Sequence, residues 1–586
     1  MISGALVSSA VAAACGGLGD LASLSGATGT HYDALRTLSV RTREVPNDIE
    51  AWLALSDLGE AAGTTSHSAG EQGVDFVGHG ALGVMDSALG VSGAHSAGKR
   101  RRAFLSRKVD VLTRALEYNS NDERLTLARL SAQEELLTAA DLAAAYDVAC
   151  AASPASVALH MRRLAARARG VGAFSSSAMR DAAAVAVGAL HKFAEAARGQ
   201  PLATVDAMQR GALLVLLRTA YAERAAGYVE RAFALLQATV ELNVHCPPLL
   251  RGHSTRKKLE AFEEFWESEV PKAGEMGARG WAHFYAGFSG DAAVEDGVTK
   301  IRTMPFNPPV NAGVVEHWAQ EEAFAAARRI LPMRVGDGDS SAAAEADPER
   351  VVFFEDLSQF CISLDSTEAQ IELLLAMAAF LSLPGADTAH VPSSHPIAAL
   401  HDTFRGSEPV DSLGAGRDHQ PGLPVCASPI DSCMLWGAPC AVVHEYRRRL
   451  LAYGSELMRQ ACEIFPADDR LAYLAIRAAA AFAAADNDPP LPSAHTVTGG
   501  AAESASAARR AAKMILRARP NDLGLYLAYA QACADAGHLA QAAEISSAAL
   551  QLGAKLGAVA PSVKSAGSAS LNGPGGRRKD GADCLH

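Results

Sequence analysis

The chain has 586 residues, of which 49% are apolar and 20% are charged, so a wholly disordered chain and a single small core are both excluded. The formal net charge is −12, and a surface of that sign does not attract phosphate as a whole. Any contact with RNA is therefore expected to be indirect or weak.

Residues 1–30 are apolar and rich in small side chains, but they lack the basic start of a secretory signal, and we expect a poorly ordered segment. The ten cysteines form no CxxC pair, which favours buried thiols in a reducing compartment over a disulfide framework. No uncharged apolar run reaches the ~18 residues of a membrane helix, so no membrane contact is predicted.

An octet recurs along the chain with one pattern: Pro, two small or polar residues, an aliphatic residue, two variable positions, a ring and an apolar residue. The clear copies are residues 46–53 (PNDIEAWL), 154–161 (PASVALHM) and 520–527 (PNDLGLYL). Looser copies are residues 119–127 (NSNDERLTL), with Asn119 in place of Pro, and residues 466–474 (PADDRLAYL), with one extra residue. Pro ends the preceding helix and the next polar residues cap a new one, so each copy predicts a helix start.

Most copies follow an amphipathic, alanine-rich segment, which gives a helix, a short turn and a second helix. Gly537 is expected to separate two further alanine-rich helices. A helix pair of this kind cannot bury its apolar face alone, so successive pairs must stack. The sequence therefore predicts an all-α fold, a right-handed α-solenoid of HAT- or TPR-like helical hairpins with disordered insertions.

The expected organisation follows from where the periodic pattern is interrupted by Gly-, Ser-, His- and Pro-rich stretches. A first repeat (31–58) is followed by an insertion (59–98), a repeat array (99–335), a flexible loop (336–347), a helical segment (348–384), a low-complexity insertion (385–440), a repeat (441–485), a flexible loop (486–505), a last repeat (506–558) and a disordered tail (559–586).

Two central stretches are more specific than the octets. They are residues 238–284, with the string FEEFWESEVPKAGEMGARGW (262–281), and residues 316–384, with VVFFEDLSQF (351–360). Together with REVPNDIEAWLALSDLGE near the start, they resemble the nuclear RNAi-defective "Nrde-two" family, which is built of HAT repeats. The resemblance covers residues 32–552, with gaps at the insertions.

The resemblance implies a nuclear, non-enzymatic scaffold in RNA surveillance, RNA-interference-linked silencing and pre-mRNA processing. It implies two kinds of partner, the DExH-box RNA helicase of the nuclear exosome and splicing factors. Family members usually carry a long polar region before the repeats that contacts the helicase, whereas this sequence begins almost at the first repeat, so helicase binding stays open. The alternative is another HAT or TPR scaffold of splicing, cleavage and polyadenylation, or ribosome assembly.

Within the specific stretches we single out Phe262, Phe265, Trp266, Trp281, Glu355 and Asp356 as family-segment residues that could bind a partner. Leu259, Phe262, Trp266 and Val270 form one helical stripe, with Glu260, Glu264 and Glu267 off it, so packing is the favoured role of the rings. Pro271 is expected to end this helix, and Gly274, Gly277 and Gly280 to shape a tight connection.

Candidate chemistry is weak elsewhere. Gly78, Gly80 and Gly83 form GxGxxG without the strand, helix and acidic residue of a dinucleotide site, and this segment is interpreted as a loop. Cysteines 426, 433 and 440 lie seven residues apart among several histidines, too far for a zinc knuckle. We therefore predict no catalytic, cofactor or metal site and no enzyme, the alternative being an enzyme with catalytic groups in the insertions.

Basic residues cluster at four places, residues 99–102, 256–258, 447–449 and 577–579. Lys99, Arg100, Arg101 and Arg102 follow the first insertion, which suits a nuclear-import signal, and a solvated helix start fits the same cluster nearly as well. Arg447 to Arg449 is expected to be a solvent-exposed helix face rather than an RNA contact.

Overall fold

The structure is a computed structural model that describes residues 27–58, 91–169, 175–197, 202–287, 351–386, 440–487, 498–535 and 538–559, with a few residues between 313 and 332. Within these ranges the chain is helical, and the only β-type pairing is a bridge residue at Val351. The predicted all-α fold is confirmed.

The helices up to the central stretches are α1 (Ala27–Glu44), α2 (Ile49–Asp57), α3 (Val91–Tyr118), α4 (Glu123–Gln133), α5 (Ala139–Ala152), α6 (Val157–Arg169), α7 (Ser176–Ala196), α8 (Leu202–Ala225) and α9 (Val229–Asn243). They are followed by α10 (Thr255–Glu267), α11 (Trp281–Tyr285), α12 (Phe354–Ser358), α13 (Thr367–Phe380), α14 (Cys440–Ile464), α15 (Asp469–Asn487), α16 (Thr498–Ala518), α17 (Leu523–Asp535) and α18 (Leu539–Val559).

At every octet copy, a turn of four residues joins two helices, and the second helix starts within the octet. The polar residue that ends the turn, Asp48, Asp122, Ser156, Asp468 or Asp522, accepts a hydrogen bond from the backbone N–H three residues later, at 2.9 to 3.2 Å. Its own N–H donates to the carbonyl three residues earlier, at 3.1 to 3.4 Å. The predicted helix starts and caps are confirmed in all five copies.

The two looser copies depart from the octet in different ways, and the prediction for the copy at 119–127 was wrong in one detail. In the copy at 466–474 the extra residue lies in the helix and not in the turn, because Asp468 follows Pro466 by two positions as in the other copies, and Tyr473 lies one position later than the rings elsewhere. In the copy at 119–127 the position of Pro is taken by Ser120, because Asp122 is the cap. Asn119 precedes it and donates its side-chain N–H to the carbonyl of Pro46 at 2.9 Å.

The second helices of successive hairpins contact one another along the chain: α2 with α4, α4 with α6, α6 with α8, α8 with α13, α13 with α15 and α15 with α17. Polar bonds also join neighbouring turns, since Arg124 donates to Glu50 and Ser156 donates to Glu123 at 2.9 Å. Hairpin-on-hairpin stacking of this kind is the organisation of an α-solenoid.

One hairpin is split by a long insertion. Helix α9 packs against α13, although residues 244–366 lie between them in the sequence. The turn before α13 repeats the octet geometry, because Ser366 caps the helix at Ala369 N (3.1 Å) and Gln370 donates to the carbonyl of Leu364 at 2.9 Å. This sixth copy lacks both Pro and a ring, so the sequence pattern did not show it.

Some helices extend into segments expected to be loops. Helix α3 begins at Val91, inside the insertion placed at 59–98, and α16 begins at Thr498, inside the loop placed at 486–505. Helix α1 begins at Ala27, before the boundary at residue 30. Gly537, the loop at 336–347, most of the insertion at 385–440 and the tail after Val559 lie outside the described residues.

Candidate partner-binding surface

The insertion of residues 244–366 is anchored on buried polar side chains of helix α9. Glu241 is fully buried and accepts hydrogen bonds from the backbone N–H groups of Ala273 (2.6 Å) and Trp281 (3.0 Å). Gln237, also fully buried, donates to the carbonyl of Ala273 at 3.0 Å and to Glu275 at 2.9 Å. Because a buried polar group without a partner is costly, these bonds fix the loop against the array.

A second set of bonds fixes the segment before α13. Asn243 donates to the carbonyl of Ile362 at 2.9 Å and accepts from the N–H of Leu364 at 2.6 Å. Lys258, which is only 5% exposed, donates to the hydroxyl of Ser363 at 2.7 Å. The basic stretch 256–258 is therefore not a uniform basic surface, since Lys258 belongs to the interior.

The four rings of the specific string lie in the core. Phe262, Phe265 and Trp281 are fully buried, and Trp266 is 1% exposed. Phe262 and Trp281 make an edge-to-face contact with 5.1 Å between ring centroids, and Trp266 Nε1 donates to the carbonyl of Val352 at 3.1 Å. Their burial supports the packing interpretation, and a contact with a partner would require these rings to leave the core.

The loop after α10 needs its glycines. Gly274, Gly277 and Gly280 have φ values of 82°, 82° and 81°, a conformation that other residues rarely adopt. At Gly280 an added Cβ would meet His245 Nδ1 at 2.2 Å, whereas at Gly277 it would meet nothing within 4 Å. The tight connection is confirmed, although α10 ends at Glu267, four residues before the expected Pro271.

The exposed face of α10 carries more acidic than basic side chains. Glu260, Glu264 and Glu267 are exposed, as the stripe predicts, and so are Glu263, Arg256 and Lys257. Glu355 is exposed on α12, and Asp356 is half-buried and accepts from the N–H of Phe353 at 3.2 Å. The carbonyl of Asp356 also accepts from Arg180 at 2.7 Å, which ties α12 to helix α7.

A groove of about 440 Å³ lies between α7, α10 and α12. Val187, Leu259, Phe354 and Cys361 contribute apolar surface to it, and Glu195, Glu260 and Glu263 contribute carboxylates. We call this feature the α7–α10 groove.

The import candidates Lys99, Arg100, Arg101 and Arg102 are exposed within α3, well after its first residue Val91. Arg101 makes two hydrogen bonds of 2.6 Å to Glu135. Residues 447–449 are not a solvent-exposed face as expected, because Arg448 is fully buried and its neighbours are half-buried. The stretch at 577–579 lies outside the described residues.

Reactive groups are few in the part of the chain that the structure describes. Four of its cysteines are buried and Cys462 is half-buried. Burial raises the pKa of the Cys361 thiol to about 12, so this thiol stays protonated at neutral pH. No group of three or more metal-ligating side chains occurs in these ranges, and no helix there is long and apolar enough to cross a membrane. The glycine motif at 78–83 lies outside them, as do the cysteines at 426 and 433.

Comparison with known proteins places these features in one family. The family model described as "NRDE-2, necessary for RNA interference" matches residues 33–386. The "Nuclear exosome regulator NRDE2" of Mus musculus is 27% identical over 325 residues, 51% of this chain and 26% of that protein. The human protein of the same name is 25% identical over 378 residues, 59% of this chain and 29% of that protein.

The "Protein NRDE2 homolog" of Schizosaccharomyces pombe is 24% identical over 178 residues, 30% of this chain and 17% of that protein. The matched part therefore spans less than a third of the length of each of these relatives.

Proposed function

Because this chain belongs to the NRDE-2 family, we propose that it is a nuclear, non-enzymatic regulator of the RNA exosome that acts by binding protein partners. The family match over residues 33–386 carries this proposal, since relatives in mouse and human are named nuclear exosome regulators. Those relatives are much longer than the matched region, which covers 26% and 29% of their lengths.

The architecture supports a role in binding. A stacked array of hairpins offers an extended surface and holds its shape through contacts between neighbouring repeats. The described ends of the insertion, residues 244–287 and 351–366, add a further element to that array, because Glu241 and Asn243 anchor them through buried hydrogen bonds. A scaffold of this kind presents binding groups with little loss of conformational freedom on association.

The finer proposal concerns the partners. We propose that the chain binds the DExH-box RNA helicase of the exosome and splicing factors, and that it contributes in this way to RNA-interference-linked silencing. RNA itself is a poor direct ligand, because the net charge is −12 and the exposed face of α10 carries four glutamates against Arg256 and Lys257. Glu355 and the exposed carboxylates of α10 are the proposed contact residues of the specific segment.

Nuclear entry is proposed to use Lys99, Arg100, Arg101 and Arg102, which are exposed on α3. Changing all four to Ala in the full chain fused to a fluorescent protein should move it towards the cytoplasm. The matched control changes exposed Arg114 and Arg107 of the same helix. Unaltered nuclear accumulation after the fourfold change would rule this role out.

The proposed function is tested by affinity purification of the tagged full chain from nuclear extract, followed by mass spectrometry. Enrichment of exosome subunits and their helicase over an unrelated helical-repeat protein is the expected result. Enrichment of ribosome-assembly or polyadenylation factors without any exosome component would contradict the proposal.

A further inference from the structure

The α7–α10 groove has an opening that internal packing does not explain. Gly188 lies inside α7, where glycine is a poor helix former. In the described part of the chain, a Cβ added there would meet nothing within 4 Å, whereas Gly211 of α8 is crowded by Val157. Close packing therefore requires glycine at position 211 but not at position 188.

The groove is mostly apolar. Val187 and Cys361 are buried side chains that border it, and Leu259 is half-buried. Its volume of about 440 Å³ lies towards the low end of ligand-binding pockets, roughly 300 to 1,000 Å³. A space of this size accommodates a few apolar side chains rather than a whole folded domain.

A buried hydroxyl also borders the groove. Thr255 is 3% exposed, and its Oγ1 has no hydrogen-bond partner among the described residues. Ser358 and Gln359 lie on the side formed by α12. A bound chain can form hydrogen bonds with these groups, and buried polar atoms normally have such partners.

The charge of the groove lining indicates which class of molecule the groove binds. Glu195, Glu260 and Glu263 line the groove, and Glu264 and Glu267 extend the acidic face of α10. Arg256 also lines the groove and contacts Glu260 at 3.0 Å, and His191 Nε2 lies 3.2 Å from Glu195, so the lining holds three carboxylates against one guanidinium. The rim is therefore net acidic, which repels phosphate and attracts lysine and arginine.

We infer that the α7–α10 groove is a docking site for a basic amphipathic segment of a protein partner. The partner's apolar side chains enter beside Gly188 and Leu259, and its lysines or arginines face the carboxylates of α10. A short helix meets this demand, because residues three and four apart present one apolar face between two charged edges. The inference rests on the proposal that the chain works by binding proteins, and it names the surface used.

The test uses the purified full chain and a fluorescent peptide of about 15 residues, four helical turns, with leucines on one face and lysines and arginines on the other. A second peptide carries glutamates in place of the basic residues. Gly188→Leu should fill the groove and weaken binding of the basic peptide about tenfold or more. Gly98→Leu is the matched control, since Gly98 is another helical glycine with nothing within 4 Å.

Glu260→Lys with Glu263→Lys should also weaken binding about tenfold, and the loss should shrink in high salt. The control pair is Asp110→Lys with Glu117→Lys, which reverses two exposed charges on α3. The midpoint temperature of thermal unfolding of Gly188→Leu should be no lower than that of the wild type, because leucine favours the helix more than glycine does.

Equal binding by wild type and Gly188→Leu, equal binding of the basic and acidic peptides, or preferential binding of a single-stranded RNA oligonucleotide would overturn the inference. The proposed exosome role is judged separately. If wild type and Gly188→Leu recover exosome subunits equally, the docking role of the groove is contradicted and the proposed function is not. If the wild-type purification recovers no exosome subunits, the proposed function is contradicted.

Discussion

The indole Nε1 of Trp52 donates a hydrogen bond of 2.8 Å to the carbonyl of Pro46, six residues earlier. The same relationship joins His160 to the carbonyl of Pro154 at 3.0 Å and Tyr526 to the carbonyl of Pro520 at 3.3 Å. The ring of the octet therefore packs on the helix and also satisfies the carbonyl at the start of the turn. This explains why a ring with a polar atom, rather than Phe, occupies the position in these three copies.

Removing both donors to Pro46 should destabilise the first hairpins more than the sum of the single changes. Trp52→Phe leaves the carbonyl bonded to Asn119, and we expect a loss of about 1 kcal/mol in the free energy of unfolding. Trp52→Phe combined with Asn119→Ala leaves the carbonyl unsatisfied and should cost about 2 to 4 kcal/mol. Urea unfolding of the wild type, Trp52→Phe, Asn119→Ala and the double variant measures the coupling between the two changes. If the loss in the double variant equals the sum of the two single losses, the two side chains do not share the role of bonding the carbonyl of Pro46.

Acid should weaken the turn at Asp468. Burial alone would raise the pKa of its carboxyl, but hydrogen bonds from Arg470 and from the backbone N–H of Leu471 hold the pKa below its ordinary value of 3.8. Since the folded state binds the proton less readily than the unfolded state, the stabilisation is present above pH 3.8 and is lost as the pH falls below it.

Asp468→Asn removes this titration and keeps a capping oxygen. The gap in thermal unfolding midpoint between wild type and Asp468→Asn should therefore narrow as the pH falls through 3.8. A gap that stays constant over this range would show that the carboxyl contributes nothing to the acid sensitivity.

Two glycines of the loop after α10 should respond differently to alanine. Gly277→Ala imposes only the left-handed backbone, and we expect a loss of about 1 kcal/mol. Gly280→Ala adds a clash with His245, whose carbonyl is held by the N–H of Ala282 at 2.9 Å, and should cost about 1 to 3 kcal/mol more. Chemical unfolding monitored by tryptophan fluorescence measures both. Equal losses would mean that His245 moves aside freely.

Glu241 should be far more sensitive to substitution than the acidic residues of α10. Glu241→Gln replaces one of two buried acceptor oxygens by a donor, so the N–H of Ala273 or Trp281 loses its partner, and about 2 kcal/mol or more of stability is expected to be lost. Glu264 lies on the exposed face of α10, and Glu264→Gln should change the free energy of unfolding by about 0.5 kcal/mol or less. Similar losses in both variants would contradict the anchoring role.

The helix starts could be predicted from sequence because the turn is local. Pro, an Asp or Ser two residues later and an apolar residue beyond it define the geometry without help from distant residues. The left-handed glycines after α10 were predictable for the same reason. The copy before α13 was missed because Leu364 and Gln370 give the same hydrogen bonds with residue types outside the pattern.

Features that depend on distant contacts could not be predicted. The pairing of α9 with α13 is invisible in sequence, since residues 244–366 interrupt the repeat and nothing local marks their ends as neighbours. Likewise Lys258 and Arg448 lie in basic stretches yet are buried. The α7–α10 groove brings together residues as distant in sequence as Gly188 and Phe354, so its existence follows only from the packing.

The central feature of the structure is that the described ends of the insertion, residues 244–287 and 351–366, are held against α9 as part of the array. Hydrogen–deuterium exchange of the unmodified full chain, resolved at single amides, tests this most directly. We predict that the amides of Ala273 and Trp281 exchange as slowly as the capped amides of Leu159 and Leu471, because all four N–H groups are bonded and belong to buried residues. Rapid exchange at Ala273 and Trp281, with slow exchange at the two capped amides, would contradict it.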